Sequence, residues 1–371
     1  MFTCLFTSER RRKCDHITTN KKNKNLRYLI TGAEGFIGSW IIKCLLDDHV
    51  TDPKNIIATD AKLDDHIASQ VLIGDEMEKK RLQSIVRKTL DVCDIKQCED
   101  ILATYNPHVV IHLAALQIPT CRSNPILGAQ VNVLGTLNLF ECVRKYNEKH
   151  KSDNKQKIFG IVYASSAGVC GPKADYKDGC AKDDDVHRPL THYGYFKLCN
   201  EGNAKVYYLD HGISSIGLRP LTVYGVGREV GLYMYATVLQ NVPFQIRYRG
   251  TTLFHYVKDI AKLFVECAHL LEHKHGAFTC NISGNTMSVE DFLQLLFEKL
   301  PESKKWISIH KNANELPLPD RMEQHNLLQL FDQDSSKIPK VTSISEGMDE
   351  MISMYKKLKS LNLLDAKDLE Q

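Results

Sequence analysis

Short apolar runs alternate with segments of helical periodicity along the first 220 residues. The runs are rich in aliphatic and β-branched residues, and they predict strands at 26–31, 55–59, 89–92, 109–113, 158–164 and 214–218. Helices are predicted between them at 36–47, 95–105, 126–147 and 191–211. Strands that are apolar throughout and alternate with helices predict a parallel sheet covered on both faces. The expected fold class is therefore α/β, with a doubly wound, Rossmann-type sheet over residues 26–220.

This rhythm ends after Arg219, where glycines and prolines become frequent. Helices are predicted at 231–240, 258–271, 289–300 and 344–358, with short strands at 278–282 and 307–310. We expect residues 221–360 to form a smaller mixed α/β cap that binds substrate and returns partly to the first domain. The charged segment 62–87 is predicted to be a surface insertion, containing one helix near 75–86, with no part in cofactor binding.

Charge is distributed unevenly along the 371 residues. Residues 1–25 carry seven basic and two acidic side chains, whereas the rest of the chain holds 41 basic and 43 acidic ones. A nearly neutral body lacks the basic stripe typical of nucleic-acid-binding proteins, so no nucleic-acid partner is expected. We expect residues 1–25 and 361–371 to be tails, the first of them disordered.

Other features of composition predict a cytoplasmic protein. No run approaches the roughly 18 apolar residues of a membrane span, and the N-terminus lacks the apolar stretch of a secretory signal. The twelve cysteines have neither Cys-x-x-Cys nor metal-ligand spacing and are expected to be reduced thiols, with no metal site. The basic tail leaves mitochondrial import as an alternative location.

A glycine turn follows the first predicted strand and opens the first predicted helix. Its glycines are Gly32, Gly35 and Gly38, spaced Gly-x-x-Gly-x-x-Gly. Such a turn lets backbone amides and a helix N-terminus approach a pyrophosphate. Asp60 closes the second strand, where a carboxylate accepts hydrogen bonds from ribose hydroxyls and repels a 2′-phosphate. The glycine turn and Asp60 together predict a dinucleotide site that favours NAD over NADP.

Catalytic chemistry is predicted where Tyr193 and Lys197 lie four residues apart on one helix face. A neighbouring ammonium favours the phenolate form of a tyrosine, whose ordinary pKa is about 10. Tyr193 would then remove a hydroxyl proton while hydride leaves for NAD. Ser166 follows the strand predicted at 158–164 and would hold the same oxygen, while Lys197 would also bind the nicotinamide ribose.

These motifs together resemble the extended short-chain dehydrogenase/reductases of the epimerase/dehydratase type. The resemblance runs from about Leu26 to Ser360. It is carried by the motifs Thr31-Gly32-Ala33-Glu34-Gly35-Phe36-Ile37-Gly38, Leu90-Asp91-Val92, His112-Leu113-Ala114-Ala115, Asn132 with Gly135-Thr136, Ser165-Ser166-Ala167, Tyr193 with Lys197, and Leu218-Arg219-Pro220 before Val223-Tyr224-Gly225.

The resemblance implies a set of cofactor contacts and a mode of assembly. Asp91 and Val92 would contact the adenine, and Asn132 would have a structural role on the cofactor side. The remaining residues implied to line the cofactor path are Phe36, Ile37, Leu113, Ala114, Ala115 and Pro220. The resemblance also implies a homodimer through helices near 126–147 and 191–211.

Departures from the family pattern concern the substrate. Thr222 and Thr252 stand where UDP-sugar epimerases carry an Asn and an Arg for the nucleotide, and Gln117 replaces a frequent Lys. Arg228 and Arg219 are candidate anion anchors, although Arg219 is equally expected to be structural. Ala167 and Gly168 lack the acid/base groups of the dehydratases, so dehydration is not expected.

Three functions remain open from the residues. The first is NAD-dependent oxidation of a secondary alcohol in a sugar-like or small hydroxy substrate. The second is epimerisation of a nucleotide sugar by an isomerase that keeps NAD bound. The third, from another class, is a non-catalytic NAD-binding scaffold, which the presence of both Tyr193 and Lys197 disfavours.

Overall fold

The computed structural model describes most of the chain between Asn25 and Leu364. The described residues are 25–49, 51–63, 70–72, 76–152, 157–227 and 243–364. The basic tail, Arg228, the helix predicted at 231–240 and the last seven residues of the chain lie outside them.

Seven parallel strands form the central sheet. They are β1 (Tyr28–Thr31), β2 (Ile56–Asp60), β3 (Val86–Thr89), β4 (Val109–His112), β5 (Gly160–Ala164), β7 (Ser214–Arg219) and β11 (Ala277–Asn281). Their order across the sheet is β11-β7-β5-β4-β1-β2-β3. The chain therefore starts in the middle and winds outwards in both directions, which confirms the predicted fold class.

Both faces of this sheet are buried because successive strand residues point to opposite sides. Tyr28 and Ile30 of β1 pack into one apolar cluster, and Leu29 packs into another. The first cluster includes α1 (Phe36–Asp47) and α8 (Val257–Leu270), and the second includes α3 (Ile95–Tyr105) and α6 (Gly135–Lys149). Each helix directs its apolar stripe onto the sheet, as predicted for the first domain.

Two predicted elements differ from the observed ones. The third strand was predicted at 89–92 and forms at β3, where it pairs only with β2. An edge strand tolerates polar residues such as Lys88. Because β3 has no apolar run of its own, the prediction placed the strand on the apolar residues that follow it. The helix predicted at 126–147 consists of α5 (Pro125–Ala129) and α6, separated by a π-helical turn at Gln130–Leu134.

The segment 62–87 was expected to be surface decoration, and the structure corrects this. Gln70 and Val71 are buried, and Val86 and Arg87 begin β3 of the central sheet. The predicted helix is α2 (Glu76–Gln83). The segment therefore supplies an edge strand to the cofactor-binding sheet, and its removal would expose β2.

The second half adds smaller sheets beside the carboxyl ends of the central strands. Strand β10 (Thr251–Tyr256) lies between β8 (Thr222–Tyr224) and β12 (Asn285–Ser288), while β9 (Phe244–Arg249) pairs with β13 (Ile307–Glu315) and β6 (Cys180–Ala181) pairs with β14 (Arg321–Met322). The remaining helices are α4 (Ile118–Ser123), α7 (His192–His211), α9 (Val289–Lys299), α10 (His325–Leu330) and α11 (Ile344–Ser360). Because α8 and β11 return to the central sheet, this half is interleaved with the first.

One helical stretch has the length and apolar composition of a membrane span. It runs over Pro125–Lys149, and 44% of its most apolar window is buried inside the fold. Its second part, α6, packs against α3 and α7. Since core helices of globular proteins meet the same criterion, the stretch is weak evidence for a membrane span.

A buried ion pair joins α7 to β7. The Arg219 guanidinium donates to both carboxylate oxygens of Glu201 at 2.8 Å. It also donates to the Asp183 carbonyl at 3.0 Å and to Asn281 Oδ1 at 3.1 Å. Four of its five N–H donors are thus used inside the fold, and the side chain is buried, so Arg219 is a structural residue and not an anion anchor.

We predict that Arg219→Met lowers the free energy of unfolding by about 3–5 kcal/mol, because it leaves the Glu201 carboxylate buried without a cation. The double variant Arg219→Met/Glu201→Leu should recover part of the loss. Urea unfolding measures both. As a control, Lys145→Met breaks the exposed Lys145–Glu99 pair and should change little. Equal small effects at the two pairs would contradict the structural role.

Candidate active site

The glycine turn lies at the carboxyl edge of the sheet, between β1 and α1. Gly35 is the N-cap of α1, and it lines a cleft together with the first helical residues, Phe36, Ile37 and Gly38. Gly32 has φ of 70°, and a Cβ added to Gly38 would lie 2.3 Å from the Gly32 carbonyl oxygen. The turn can close this tightly only with glycine, and a glycine turn at a helix N-terminus fits a dinucleotide pyrophosphate.

Asp60 ends β2 beside this turn. Its carboxylate accepts backbone hydrogen bonds from Glu34 at 3.2 Å and from Ala61 at 2.8 Å. Burial raises the pKa of Asp60, and the amide hydrogen bonds oppose that rise. The amides hold the carboxylate in a fixed orientation at the place where the sequence predicts the adenosine ribose.

The Tyr193 helix packs directly on the turn that follows β5. Thr191 caps α7 by accepting from the Gly194 amide at 3.0 Å, and a Cβ on Gly194 would lie 2.2 Å from the Gly168 carbonyl oxygen. This close approach brings Tyr193 and Ser166 to one cleft. Ser166 Oγ accepts from the Gly168 amide at 3.0 Å and so retains its own hydrogen for a substrate oxygen.

Lys197 is buried beneath the Tyr193 ring. Its Nζ lies 5.6 Å from the ring centroid and donates to the Ala164 carbonyl at 2.7 Å. Burial lowers the pKa of Lys197 to about 8. The amine still carries its proton at neutral pH, and its charge favours the ionised form of a phenol close to it.

Asn132 holds the loop after β4 through hydrogen bonds to the backbone of Leu116. Its side chain accepts from the Leu116 amide at 2.7 Å and donates to the Leu116 carbonyl at 2.9 Å. Its own carbonyl accepts from Asn200 of α7 at 2.8 Å. The π-helical turn aims Asn132 at the loop after β4, which fits the structural role implied by the resemblance.

His112, at the end of β4, is buried between two hydroxyls. Its ring nitrogens lie 2.7 Å from Thr31 Oγ1 and 3.0 Å from Thr136 Oγ1. Burial, with a contribution from the Lys197 charge, lowers the pKa of His112 to about 3. The imidazole is therefore neutral and ties β4 to β1 and α6.

The predicted site residues meet in one cleft of about 590 Å³. The predicted residues among its lining are Gly32, Gly35, Phe36, Ile37, Gly38, Asp60, Asp91, Val92, Leu113, Ala114, Ala115, Gln117, Ser166, Tyr193, Lys197, Pro220 and Thr222. Asn132 lies behind this surface. Thr252 is buried and does not line the cleft, since its hydroxyl is bonded at 3.0 Å to that of Thr222. Arg228 lies outside the described residues.

The cleft includes residues that sequence reasoning missed. Leu116, Ile118, Leu221 and Leu318 line it with apolar groups. The first three are next to residues already predicted to line the site, so the sequence could have identified them. Leu318 follows β13 and comes to the cleft only through the fold, so no local signal identifies it.

Known proteins resemble this chain in sequence. Residues 28–282 match the family described as NAD dependent epimerase/dehydratase. A UDP-glucuronate 4-epimerase of Thermodesulfobacterium geofontis is 25% identical over 340 residues, covering 89% of this chain and 96% of the relative.

Two solved structures share the fold over nearly the whole of their length. L-threonine 3-dehydrogenase of Trypanosoma brucei superposes with a TM-score of 0.71 at 19% identity, covering 90% of this chain and 98% of that one. UDP-glucose 4-epimerase of Thermus thermophilus, in complex with NAD, superposes with a TM-score of 0.67 at 23% identity, covering 89% and 99%. At these identities the likeness establishes the architecture.

The lowered pKa of Lys197 predicts a pH dependence of stability. Burial moves the pKa from 10.5 to about 8, so between these values the unfolded chain binds more protons than the folded one. The contribution of Lys197 to stability should therefore rise from about pH 8 to pH 10.5.

This rise is measured as the difference in free energy of unfolding between the wild type and Lys197→Met across that range. Subtraction removes the tyrosines and cysteines that titrate in the same window. A difference that stays constant with pH would contradict the burial of a charged amine.

Proposed function

The chain belongs to the NAD-dependent epimerase/dehydratase family and is an NAD-dependent enzyme, and we propose that it oxidises a secondary alcohol of a small, sugar-like substrate. Tyr193 is the general base in this proposal. It lies in the same cleft as the glycine turn, with the Lys197 ammonium behind its ring.

Tyr193, Lys197 and Ser166 have different roles in the oxidation of the alcohol. Tyr193 removes the hydroxyl proton, and the buried charge of Lys197 stabilises the phenolate that does so. Ser166 donates a hydrogen bond to the same substrate oxygen and holds it near the phenol. NAD, which the glycine turn and Asp60 would hold, would supply the acceptor for the hydride that leaves the alcohol carbon. The backbone carbonyl of Ala164 fixes the Lys197 amine in place for this role.

The charge of the cleft favours a small substrate. Among the described lining residues, Lys197 is the cation, while Asp60 and Asp91 are anions. Thr222, bonded to Thr252, and Gln117 offer neutral hydrogen-bonding groups. A nucleotide diphosphate without charge-assisted partners would bind weakly. This observation supports a neutral or singly charged substrate over a nucleotide sugar.

Epimerisation of a nucleotide sugar is the second candidate. It is favoured by the similarity to the UDP-glucuronate 4-epimerase over 89% of this chain. Arg228, outside the described residues, would then have to supply the missing cation. The proton and hydride steps at Tyr193 are the same in both candidates, and they differ in whether the ketone leaves or is reduced again on its other face.

We expect the purified enzyme, given NAD and a panel of sugars, uronates and amino alcohols, to produce NADH with at least one of them. Tyr193→Phe should lower the rate by about 10²–10⁴-fold because it removes the general base. Tyr195→Phe is the matched control, since Tyr195 is on the same helix but 56% exposed, and it should keep the wild-type rate.

The assay separates the alternatives. Interconversion of a UDP-sugar without net NADH would replace the dehydrogenase proposal by the epimerase. NAD binding without turnover of any substrate, sugar nucleotides included, would support the scaffold and overturn both enzymatic proposals.

The enzyme is further proposed to form a homodimer through the helices at 125–149 and α7. These helices pack side by side and expose apolar side chains, which is typical of a surface that becomes buried on association. The most exposed aliphatic side chains are Ile126 at 71%, Leu209 at 69%, Leu134 at 53% and Val206 at 51%.

We predict that Leu209→Lys shifts the dimer to monomer at micromolar concentration, because it places a charge in an apolar interface. Sedimentation velocity measures the mass. Met77→Lys is the control, since Met77 is equally exposed on α2, away from these helices. A Leu209→Lys protein with the mass of the wild-type dimer would refute the interface.

A further inference from the structure

Glu34 occupies an unusual position inside the glycine turn. It lies between Gly32 and Gly35, and its carboxylate is held by Arg87 of β3. Arg87 donates to Glu34 Oε1 through Nε at 3.1 Å and through a terminal nitrogen at 2.6 Å. The Glu34 side chain is buried, whereas that of Arg87 is one-third exposed. An ion pair therefore crosses from the edge strand of the sheet to the cofactor turn.

This ion pair is adjacent to Asp60. The Glu34 amide donates to Asp60 Oδ2 at 3.2 Å, and Arg87 is paired in the sheet with Ala58, two residues before Asp60. Two residues of extended strand span roughly 6.6 Å, a distance that an extended arginine side chain covers. Arg87 is therefore a cation within reach of the carboxylate that faces the adenosine ribose.

Glu34 leaves this corner with a net negative charge. Asp60 and Glu34 are anions, and Arg87 is the cation bound between strands. Arginine is the side chain best suited to hold a phosphate through two parallel hydrogen bonds. An arginine at this edge would favour the 2′-phosphate of NADP, and the Glu34 carboxylate occupies it instead.

We propose that Glu34 is a second determinant of cofactor choice, which excludes NADP by holding Arg87 in an ion pair beside Asp60. Asp60 repels the 2′-phosphate directly, and Glu34 withholds the nearest arginine from it. The inference concerns the cofactor alone. It is independent of the substrate and of the general base, so it can be tested without either.

The alternative is that the pair only ties β3 to the glycine turn. Loss of either partner would then loosen the turn and weaken NAD and NADP by the same factor. The ratio of the two dissociation constants distinguishes the cases, because a structural tie leaves it unchanged.

Isothermal titration calorimetry with NAD and with NADP tests the proposal on the full-length protein. The variants are Glu34→Gln, Arg87→Met and the double variant, each made also in an Asp60→Asn background. Glu34→Gln keeps the shape of the side chain and removes its charge. Glu99→Gln is the control, since it breaks the exposed Lys145–Glu99 pair far from the turn.

Glu34→Gln is expected to shift binding towards NADP by at least about tenfold relative to NAD, and adding Arg87→Met should cancel that gain. The shift should be larger in the Asp60→Asn background, where direct repulsion is absent. No shift in either background, or a gain that survives Arg87→Met, would overturn the proposal. A thermal melt of each variant shows whether it is folded.

Discussion

Parallel pairing of strands buried on both faces is the constraint from which the site follows. In a parallel sheet the carboxyl ends of all strands lie at one edge, and the strand order reverses between β1 and β4. The loops after these two strands diverge there, which opens a crevice. Gly32, Asp60, Leu113, Ser166 and Pro220 lie at the carboxyl ends of five different strands and line one cleft. The parallel sheet brings these strand ends together, and the Gly194–Gly168 approach adds the helix that carries Tyr193.

Burial then decides what each polar group near the cleft can do. His112 is neutral between two hydroxyls, so it serves as a hydrogen-bonded strut. Lys197 remains a cation at neutral pH, since burial lowers its pKa only to about 8, and its amine donates to the Ala164 carbonyl. Arg219 is buried and donates to Glu201, Asp183 and Asn281. Residues of similar charge therefore have different roles, which depend on the partners that the fold provides.

Electrostatics distinguishes the corner around Asp60 from the part of the cleft around Thr222 and Gln117. At the ribose corner, Asp60 and the Glu34–Arg87 pair place three charges around the second strand. Around Thr222 and Gln117, the described lining is neutral or apolar. This division suits a cofactor selected by charge and a substrate held by hydrogen bonds. The excess of positive charge in the whole chain belongs to residues 1–25, and the rest of the chain carries two more acidic than basic side chains.

The sequence by itself determined the fold class and the content of the dinucleotide site. Apolar strands alternate with helices, and glycine turns and strand-end carboxylates are local features, visible in a single chain. Tertiary structure decided the roles that depend on distant partners. Arg87 lies in a segment that the sequence predicts to be a surface insertion, yet it forms an ion pair with Glu34, 53 residues away along the chain. Arg219, a candidate anion anchor, forms an ion pair with Glu201. Such pairs form because burial brings strands and helices together, and a buried charge requires a partner of opposite charge. Spacing along the chain does not reveal which residue that partner is.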